Sequence, residues 1–557
     1  MTPIGLKAPK GESSRSIGSE LLVDVLSSSG IEVAFGLPGN SLLASTEYMF
    51  RSGRMRFVTI RHEQVAAGMA EGYARVTGRP GVCLGGAGPS AANLLIGVAN
   101  AYRASVPMLA ITGNLERSKL GTDALNEWNQ MAMFAPITKL NLQVTDPDRL
   151  ASQLRLAMLS SVQGRPGPVH VDVPADIGRA SITKPGHLER LSFGPTRAEA
   201  KAEDVRQALR IIMSAERPLI IAGGGAASSG AGERLKQLSR LLSIPVAVSG
   251  ARGIVREDDP LCFGPVGVWG YAATNHLVES SDVILGLGFR FSDDTTMGWK
   301  TVPRDAKIIQ VDIDPAEIGR QYEATLGVVA DVDTFLRQLL AAVRSSAKRS
   351  SKGWPKVKLA GLQSELKKER ESLFGGPFDD EPVDKRVIVS ELMRIAEEGS
   401  IVAVGTGVHT RYASRMIVNR PRSFMRSGAF AAMGFAFPAA MGAKVAAPER
   451  QVVCLDGDGD FMMTVQDLET AVREQIHFVT VVFNNGSYAA YKFWPNKRIG
   501  VEFSNPDMVK LAESFGATGT KVTRSKDFGP ALMEMLKADK PALIDAVVTP
   551  ETDLPWY

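Results

Sequence analysis

The sequence has few cysteines and no long apolar run, and each scarcity excludes a class of protein. Its three cysteines, Cys83, Cys262 and Cys454, lie far apart and form no CxxC pair. This spacing predicts buried free thiols in a reducing, cytoplasmic compartment. No stretch reaches about 18 uninterrupted apolar residues, so we expect no membrane span. The first twenty residues hold no apolar core segment, so we expect no secretory signal there.

Positive and negative charges are nearly balanced over the chain. The 557 residues include 64 Lys and Arg against 60 Asp and Glu, a formal net charge of +4. A nucleic-acid footprint needs a clustered basic stripe, and none is present, so we expect no nucleic-acid partner. Hydrophobic residues make up 44% of the chain, enough for an ordinary globular core, and the length predicts about three or four domains.

Three segments repeat a pattern of short apolar strand, Gly-rich turn and helix. This alternation is typical of α/β domains, each with a mostly parallel sheet flanked by helices. The stretches 187–205 and 345–385 lose the pattern and become polar and charged, as linkers do. We therefore predict domains at 1–185, 190–345 and 380–557.

Two polar turns of the third domain follow neighbouring strand-like stretches. The strand QVVCL ends in DGDGD, and the strand FVTVVF ends in NN, so Asp458 and Asn485 lie 485 − 458 = 27 residues apart. Parallel strands joined by a helix bring their carboxyl ends to the same sheet edge, where these side chains can meet. Carboxylate and amide oxygens suit Mg²⁺ or Ca²⁺, and Gly457 and Gly459 let a phosphate approach the backbone.

GDGDF, followed by VVFNNGSY, resembles the cofactor motif of the acetolactate synthase and 2-oxo acid decarboxylase superfamily, whose members use thiamine diphosphate. The resemblance covers nearly the whole chain and implies pyrimidine-binding, central and diphosphate-binding domains in that order. It implies Mg²⁺ ligands Asp458, Asn485 and the backbone carbonyl of Ser487. The neighbouring Gly457, Gly459 and Asp460 are implied to contact the cofactor.

Three further stretches match the same superfamily. TIRHEQVAAGMAEGYAR resembles the segment whose acid activates the aminopyrimidine ring, and this role falls on Glu63. Met433, in MRSGAFAAMGFAFPAAMGAK, matches the residue that wedges the cofactor into a bent shape. VGTGVHTRYAS resembles the diphosphate loop, with Gly407, Val408 and His409 in the matching positions. Without the resemblance, Glu63 reads as a helix-capping residue, Met433 as a core residue and His409 as a polar loop residue.

In this superfamily the two ends of the cofactor are held by different subunits. Glu63 lies in the first predicted domain and the cation ligands lie in the third. The resemblance therefore implies a homodimer or homotetramer with active sites at the subunit interface.

The residues around the expected substrate pocket depart from the synthase pattern. GLPGN ends in Asn where the family has Gly, and Asn126 stands where the family has Gln. No paired histidines occur near these segments, which disfavours the pyruvate decarboxylase type. The resemblance to acetolactate synthase implies these pocket candidates: Pro38, Gly39, Asn40, Asn126, Gln130, Tyr488 and Trp494.

The central domain carries FRFSDD where the synthase segment that wraps FAD reads ARFDDR. Ser292 shifts the acidic pair and the final Arg is missing. The GGGA stretch at 223–226 is compatible with a dinucleotide and equally with a strand-end turn. FAD binding therefore stays open at this point, as does the role of the tail 550–557, which either frays or folds over the active site.

The expected function is that of a thiamine-diphosphate-dependent carboligase or decarboxylase acting on a small 2-oxo acid, similar to acetolactate synthase. A second enzyme class, the 2-hydroxyacyl-CoA lyases and oxalyl-CoA decarboxylases, has similar motifs near ALNEWNQM. A third alternative is a catalytically silent relative that binds the cofactor as a scaffold or regulatory subunit. Retention of Glu63 and of the cation ligands argues against the silent relative.

Overall fold

The computed structural model describes residues 15–183, 188, 190–194, 196–346, 353–491 and 500–549. Within these ranges the chain forms three six-stranded parallel sheets flanked by helices, and one two-stranded antiparallel ribbon that was not predicted. The three sheets correspond to the three segments of repeated pattern. No helix among the described residues combines the length and apolar character needed to cross a bilayer.

The first sheet has the strand order β3-β2-β4-β5-β7-β6. Its central strands are buried along their whole length, as expected when helices cover both faces of a parallel sheet. The elements of this region are β1 (Arg15–Ile17), α1 (Gly18–Ser28), β2 (Val33–Gly36), α2 (Leu43–Ser52), β3 (Arg56–Thr59), α3 (Glu63–Thr77), β4 (Gly81–Gly85), α4 (Pro89–Asn93), α5 (Leu95–Ala104), β5 (Met108–Asn114), α6 (Gln130–Phe134), β6 (Asn141–Gln143), α7 (Leu150–Val162), β7 (Pro168–Pro174), α8 (Ala175–Arg179) and β8 (Ser181–Thr183).

The central sheet has the order β11-β10-β9-β12-β13-β14, so its chain crosses from one half to the other at β9 and β12. Such a reversal opens a crevice at the carboxyl ends of the strands, where ligands of open α/β sheets bind. The elements here are α9 (Ala202–Ser214), β9 (Pro218–Ala222), α10 (Gly224–Ser229), α11 (Gly232–Leu242), β10 (Val246–Val248), β11 (Cys262–Pro265), α12 (Ala272–Glu279), β12 (Val283–Leu287), β13 (Lys307–Asp312), β14 (Leu326–Val329) and α13 (Val332–Ser345).

The stretch predicted as a linker at 345–385 contains a long helix, α14 (Lys356–Phe374). Its polar sequence concealed three buried leucines on one face, Leu362, Leu366 and Leu373, which join the core of the central region together with Trp354. Only this narrow face is apolar, which is why the composition suggested a linker.

The third sheet has the order β16-β15-β17-β18-β20-β19. Numbered within their own sheets, the first and third sheets both read 2-1-3-4-6-5, so the two regions share one topology without an evident sequence repeat. The elements are α15 (Lys385–Ile395), β15 (Ile401–Val404), α16 (His409–Ala413), β16 (Phe424–Arg426), α17 (Ala436–Ala446), β17 (Val452–Gly457), α18 (Asp458–Phe461), α19 (Leu468–Arg473), β18 (Val479–Asn484), α20 (Met508–Ser514), β19 (Thr518–Val522), α21 (Ser525–Met535) and β20 (Ala542–Val547).

Helices α3 and α17 join the first and third regions through an unusually close contact. A Cβ atom on Gly72 would lie 2.1 Å from the carbonyl oxygen of Ala439, and one on Gly442 would lie 1.9 Å from that of Met69. Only glycine permits this approach of two helix backbones. The contact matters for the site because α3 begins at Glu63 and α17 follows the segment that carries Met433.

Candidate active site

The two polar turns of the third region meet at the carboxyl edge of its sheet. Strands β17 and β18 are neighbours in parallel register, with Gly457 opposite Phe483. One carboxylate oxygen of Asp458, Oδ2, accepts hydrogen bonds from the backbone N–H of Asn485 at 3.1 Å and of Gly486 at 2.7 Å. The structure thus brings Asp458 and Asn485 together, as the 27-residue spacing predicts.

The amide side chain of Asn485 organises the turn beyond it. Its Oδ1 atom accepts from the backbone N–H of Ser487 at 2.9 Å and from the Ser487 hydroxyl at 3.0 Å. A third donor to Asp458, Nδ2 of Asn505 at 2.8 Å, was missed in the sequence because Asn505 belongs to no motif. Burial raises the pKa of Asp458, and these donors oppose the shift by stabilising its charged form.

One cavity at this edge collects most of the residues that the sequence singled out. It is also lined by the buried lysine Lys385 and by Thr406, Phe483, Ala489 and Ala490. The predicted residues that line it are Gly407, Val408, His409, Met433, Gly457, Asp458, Gly459, Asp460, Asn485, Ser487 and Tyr488. They come from four loops at one sheet edge, which parallel strands require to lie close together.

Two residues that line this cavity, His409 and Asp460, form a buried group with Asp456, and the possible ligand atoms of the three all lie within 4.8 Å of one another. Burial, followed by the charge of Asp460, raises the pKa of Asp456 well above its ordinary value. Asp460 accepts backbone N–H groups from Thr406 and Gly434. Through these two hydrogen bonds Asp460 braces the loops that carry Thr406 and Gly434.

The imidazole of His409 is neutral, and one of its ring nitrogens can form a further hydrogen bond. Burial lowers the pKa of His409 to about 3. Its Nε2 atom has no hydrogen-bond partner among the described residues. A Cβ atom on Gly407 would lie 2.9 Å from the ring, so glycine leaves the space that the imidazole occupies. A buried polar atom beside a glycine-lined cavity fits a ligand that accepts or donates a hydrogen bond.

Glu63 is buried at the start of α3, at the carboxyl edge of the first sheet. Its carboxylate accepts a hydrogen bond from the hydroxyl of Ser90 at 2.6 Å and another from Nδ2 of Asn93 at 2.9 Å. It does not cap α3, because the N-cap is His62, whose side chain accepts from the N–H of Gln64. Glu63 is not among the residues that line the cavity around Asp458.

The segment that carries Glu63 is nevertheless tied to the third region of the same chain. The backbone N–H of Arg61 donates to Oδ1 of the fully buried Asp467 at 2.7 Å. The amide of Gln64 donates to the carbonyl of Met433 at 3.4 Å. These contacts, with the glycine-mediated packing of α3 on α17, fix the position of Glu63 relative to the turns that carry Asp458 and Asn485.

Two of the substrate-side candidates of the first region, Gly39 and Asn126, lie beside the turn that contains Gly86 and Gly88. Pro38 and Asn40 are exposed, while Gly39 lies in a loop that closely approaches Gly86. Asn126 is exposed in a left-handed conformation, at φ 66°. Trp494 lies outside the described residues.

Gln130 is buried, and its side-chain amide is held on every side. Its Oε1 accepts from the N–H of Gly88 at 2.8 Å, and its Nε2 donates to Oδ1 of Asp172 at 2.6 Å and to Oγ1 of Thr112 at 3.0 Å. An amide used in this way positions a loop and has no free group to offer a substrate. The geometry therefore gives Gln130 a supporting place behind the Gly88 turn.

A second cavity lies at the carboxyl edge of the central sheet, where the strand order reverses. It is bordered by the Gly223–Gly225 turn, by Asp312 and by arginines from all three regions: Arg75, Arg103, Arg165, Arg252, Arg290 and Arg426. Burial lowers the pKa of both Arg290 and Arg426. Burial raises the pKa of Asp312 to about 6. Partly buried cations beside a glycine turn at this position suit a phosphate-containing ligand.

Fold and site together define a class: a three-domain α/β enzyme whose third sheet gathers a carboxylate turn, an amide turn and a glycine-containing loop around one cavity at its carboxyl edge. Three family models match the chain: thiamine pyrophosphate enzyme, N-terminal TPP binding domain, over residues 17–133; central domain, over 205–339; and C-terminal TPP binding domain, over 405–546.

Curated relatives match over nearly the whole length. The probable acetolactate synthase large subunit of Methanocaldococcus jannaschii is 35% identical, with 97% of this chain and 93% of that protein covered. The acetolactate synthase large subunit of Corynebacterium glutamicum is 33% identical, with 96% and 87% covered. The chain belongs to the thiamine pyrophosphate enzyme family.

Proposed function

We propose that this enzyme is a thiamine-diphosphate-dependent carboligase or decarboxylase acting on 2-oxo acids, with acetolactate synthase-like chemistry. The observation that carries the proposal is the cavity in which the Asp458 and Asn485 turns meet the Gly407–His409 loop and Met433. The names of the relatives, acetolactate synthases from archaea and bacteria, support the same reaction class.

The donor set fits Mg²⁺. Asp458 offers a carboxylate, Asn485 an amide oxygen and Ser487 a backbone carbonyl, all hard oxygen ligands, which leaves room for diphosphate oxygens and water. The glycines at 457 and 459 expose backbone to the cavity, and Nε2 of His409 has no partner among the described residues. Asp458, Asn485 and Ser487 would hold the metal, while Gly407, Val408, His409 and Asp460 would surround the diphosphate.

When bound, thiamine diphosphate supplies a nucleophilic carbon and an electron sink for decarboxylation. Glu63 would hold the proton at N1′ of the aminopyrimidine, with its carboxylate oriented by Ser90 and Asn93. Met433, which lines the cavity at an intermediate exposure, would support the bent cofactor from below.

The separation of Glu63 from the cation cavity supports a homodimer or homotetramer. Within one chain, Glu63 does not line the cavity around Asp458. A second copy of the chain would bring its own Glu63 to the open side of that cavity, so each active site would use two subunits.

The central cavity would take FAD. Its glycine turn, its arginines and Asp312, the acid at the end of β13, are features of dinucleotide sites. Asp294 accepts a hydrogen bond from Ser292 at 2.6 Å and forms an ion pair with Arg426 at 3.4 Å. The altered FRFSDD segment therefore still lines the central cavity with side chains held in place.

The substrate side would be shaped by Tyr488. Its ring lines the cavity and lies on Phe503, with 4.9 Å between the ring centroids. Pro38, Gly39, Asn40 and Asn126 would approach from the first domain of the other subunit.

The three cysteines are buried and free, which supports a reducing, cytoplasmic compartment.

The test is a panel of 2-oxo acids with Mg²⁺ and thiamine diphosphate, in which released CO₂ and condensation product are measured separately. We expect CO₂ release with at least one 2-oxo acid, and equal molar amounts of condensation product if carboligation dominates. Glu63→Gln should bind the cofactor and lose most turnover, roughly 100-fold or more. Turnover that appears only with coenzyme A would favour the acyl-CoA enzymes, and cofactor binding without any turnover would favour a silent relative.

A further inference from the structure

The carboxylate of Glu63 is clamped by two donors from a single short helix. Ser90 and Asn93 lie three residues apart on α4, so their side chains project from the same face. The hydroxyl of Ser90 donates to Oε1 at 2.6 Å, and Nδ2 of Asn93 donates to Oε2 at 2.9 Å. Each oxygen of the carboxylate therefore has its own donor, which fixes the plane of the group.

The hydroxyl of Ser90 cannot easily turn away from Glu63. Its oxygen accepts a hydrogen bond from the backbone N–H of Gly86 at 2.7 Å. Because a hydroxyl has one hydrogen and that hydrogen points at Glu63, the N–H of Gly86 locks the direction of the donor. Gly86 follows β4 directly, so the sheet edge sets this geometry.

The turn that begins α4 is anchored in the interior of the first domain. The N–H of Gly88 donates to Oε1 of Gln130 at 2.8 Å, and Gln130 is held in turn by Asp172. Gly88 has φ +62°, and a Cβ atom there would lie 2.7 Å from the carbonyl oxygen of Asn126. The clamp on Glu63 is thus supported by a buried hydrogen-bond network and by a turn that requires glycine.

We infer that Ser90, together with Asn93, is a positioning residue that orients Glu63 toward the aminopyrimidine ring. This inference rests on the proposed function. Ser90 would act through Glu63, to which its hydroxyl donates. Because both oxygens of the carboxylate are held by hydrogen bonds, the Glu63 side chain is already in one orientation when the aminopyrimidine ring binds. The two hydrogen bonds should therefore affect the rate of cofactor activation strongly and cofactor affinity little.

The experiment compares Ser90→Ala, Asn93→Ala, Ser90→Thr and Glu63→Gln with the wild type, each loaded with Mg²⁺ and thiamine diphosphate. The rate at which the C2 hydrogen of the bound cofactor exchanges with deuterium is measured by quenched-flow NMR, and cofactor affinity is measured by fluorescence titration. We expect Ser90→Ala to slow exchange about tenfold, as loss of one hydrogen bond to a charged group implies, with affinity changed less than about threefold. Ser90→Thr, which keeps the hydroxyl, should restore most of the rate.

Ser161→Ala is the matched control, because Ser161 is buried in the same domain and its hydroxyl bonds only the carbonyl of Met158 in its own helix, at 2.6 Å. It should leave both readouts unchanged. If Ser90→Ala does not fold, Asn93→Ala carries the test, with the same expected direction. Wild-type exchange in both alanine variants, with slow exchange in Glu63→Gln, would overturn the positioning role alone. Wild-type exchange in Glu63→Gln would overturn the proposed function.

Discussion

A single methyl group between α3 and α17 tests whether these helices set the position of Glu63. In Gly72→Ala the new Cβ atom would lie 2.1 Å from the carbonyl oxygen of Ala439 and 2.8 Å from its Cα, both backbone atoms of a buried helix. Neither atom can rotate aside, so the helices must separate by about 1 Å or more. Overpacking of this kind costs about 1–3 kcal/mol, and lost contacts along the interface add to it.

The control is Gly361→Ala in α14. Gly361 is also helical, but a Cβ atom there meets nothing within 4 Å. Alanine should raise helix stability by about 0.5–1 kcal/mol at this exposed position. Thermal unfolding should show a Tm several degrees below wild type for Gly72→Ala and at or slightly above wild type for Gly361→Ala. Decarboxylation should fall only in Gly72→Ala, and an unchanged Tm in that variant would refute the close helix contact.

Two further predictions concern buried polar groups. Burial raises the pKa of Asp467 from 3.8 to about 6, so its stabilising contribution is complete below about pH 4 and is lost as pH rises through 6. Asp467→Asn keeps an acceptor for the N–H of Arg61 and cannot ionise. Its free energy of unfolding relative to wild type, measured by thermal unfolding, should therefore rise by about 3 kcal/mol between about pH 4 and pH values above 6. A difference from wild type that does not change with pH would contradict this. Asn505→Ala removes a donor to Asp458, and should weaken Mg²⁺-dependent cofactor binding about 10- to 100-fold in a titration, whereas equal affinity would exclude Asn505 from the site.

The sequence predicted the fold class because parallel strands buried on both faces leave continuous apolar runs followed by glycine turns. Strands such as Met108–Asn114 and Val452–Gly457 were evident for this reason. The helix Lys356–Phe374 was assigned to a linker because only a narrow leucine face is buried. The short strands Asn141–Gln143 and Thr518–Val522 lie at sheet edges, where partial exposure weakens the apolar signal.

Much of the candidate site could also be predicted from the sequence. The turn residues of β17 and β18 were found because topology alone brings the ends of neighbouring parallel strands together. Two supporting groups were not found: Asn505 donates to Asp458 from 47 residues away, Asp467 accepts from Arg61 across 406 residues, and neither belongs to a short motif. Ser90 did carry a signal, as a hydroxyl residue directly after a Gly-Pro turn at a strand end.

Gln130 illustrates a different limit. Its place in a segment similar to the synthase suggested a pocket residue, yet its amide is enclosed by Gly88, Thr112 and Asp172. Sequence position indicates which loop a side chain belongs to. Whether that side chain points into the pocket or behind its wall depends on hydrogen-bond partners that only the folded chain supplies.

Asp458, Asn485 and the carbonyl of Ser487 should hold a divalent cation against the cofactor diphosphate. The most direct measurement is a crystal structure of the protein with Mn²⁺ and thiamine diphosphate, with the ion located by its anomalous scattering. We expect one Mn²⁺ per chain bonded to those three residues and to the cofactor diphosphate, with Glu63 of a second chain at the aminopyrimidine. An ion bound elsewhere, or a diphosphate held without contact to Asp458, would contradict it.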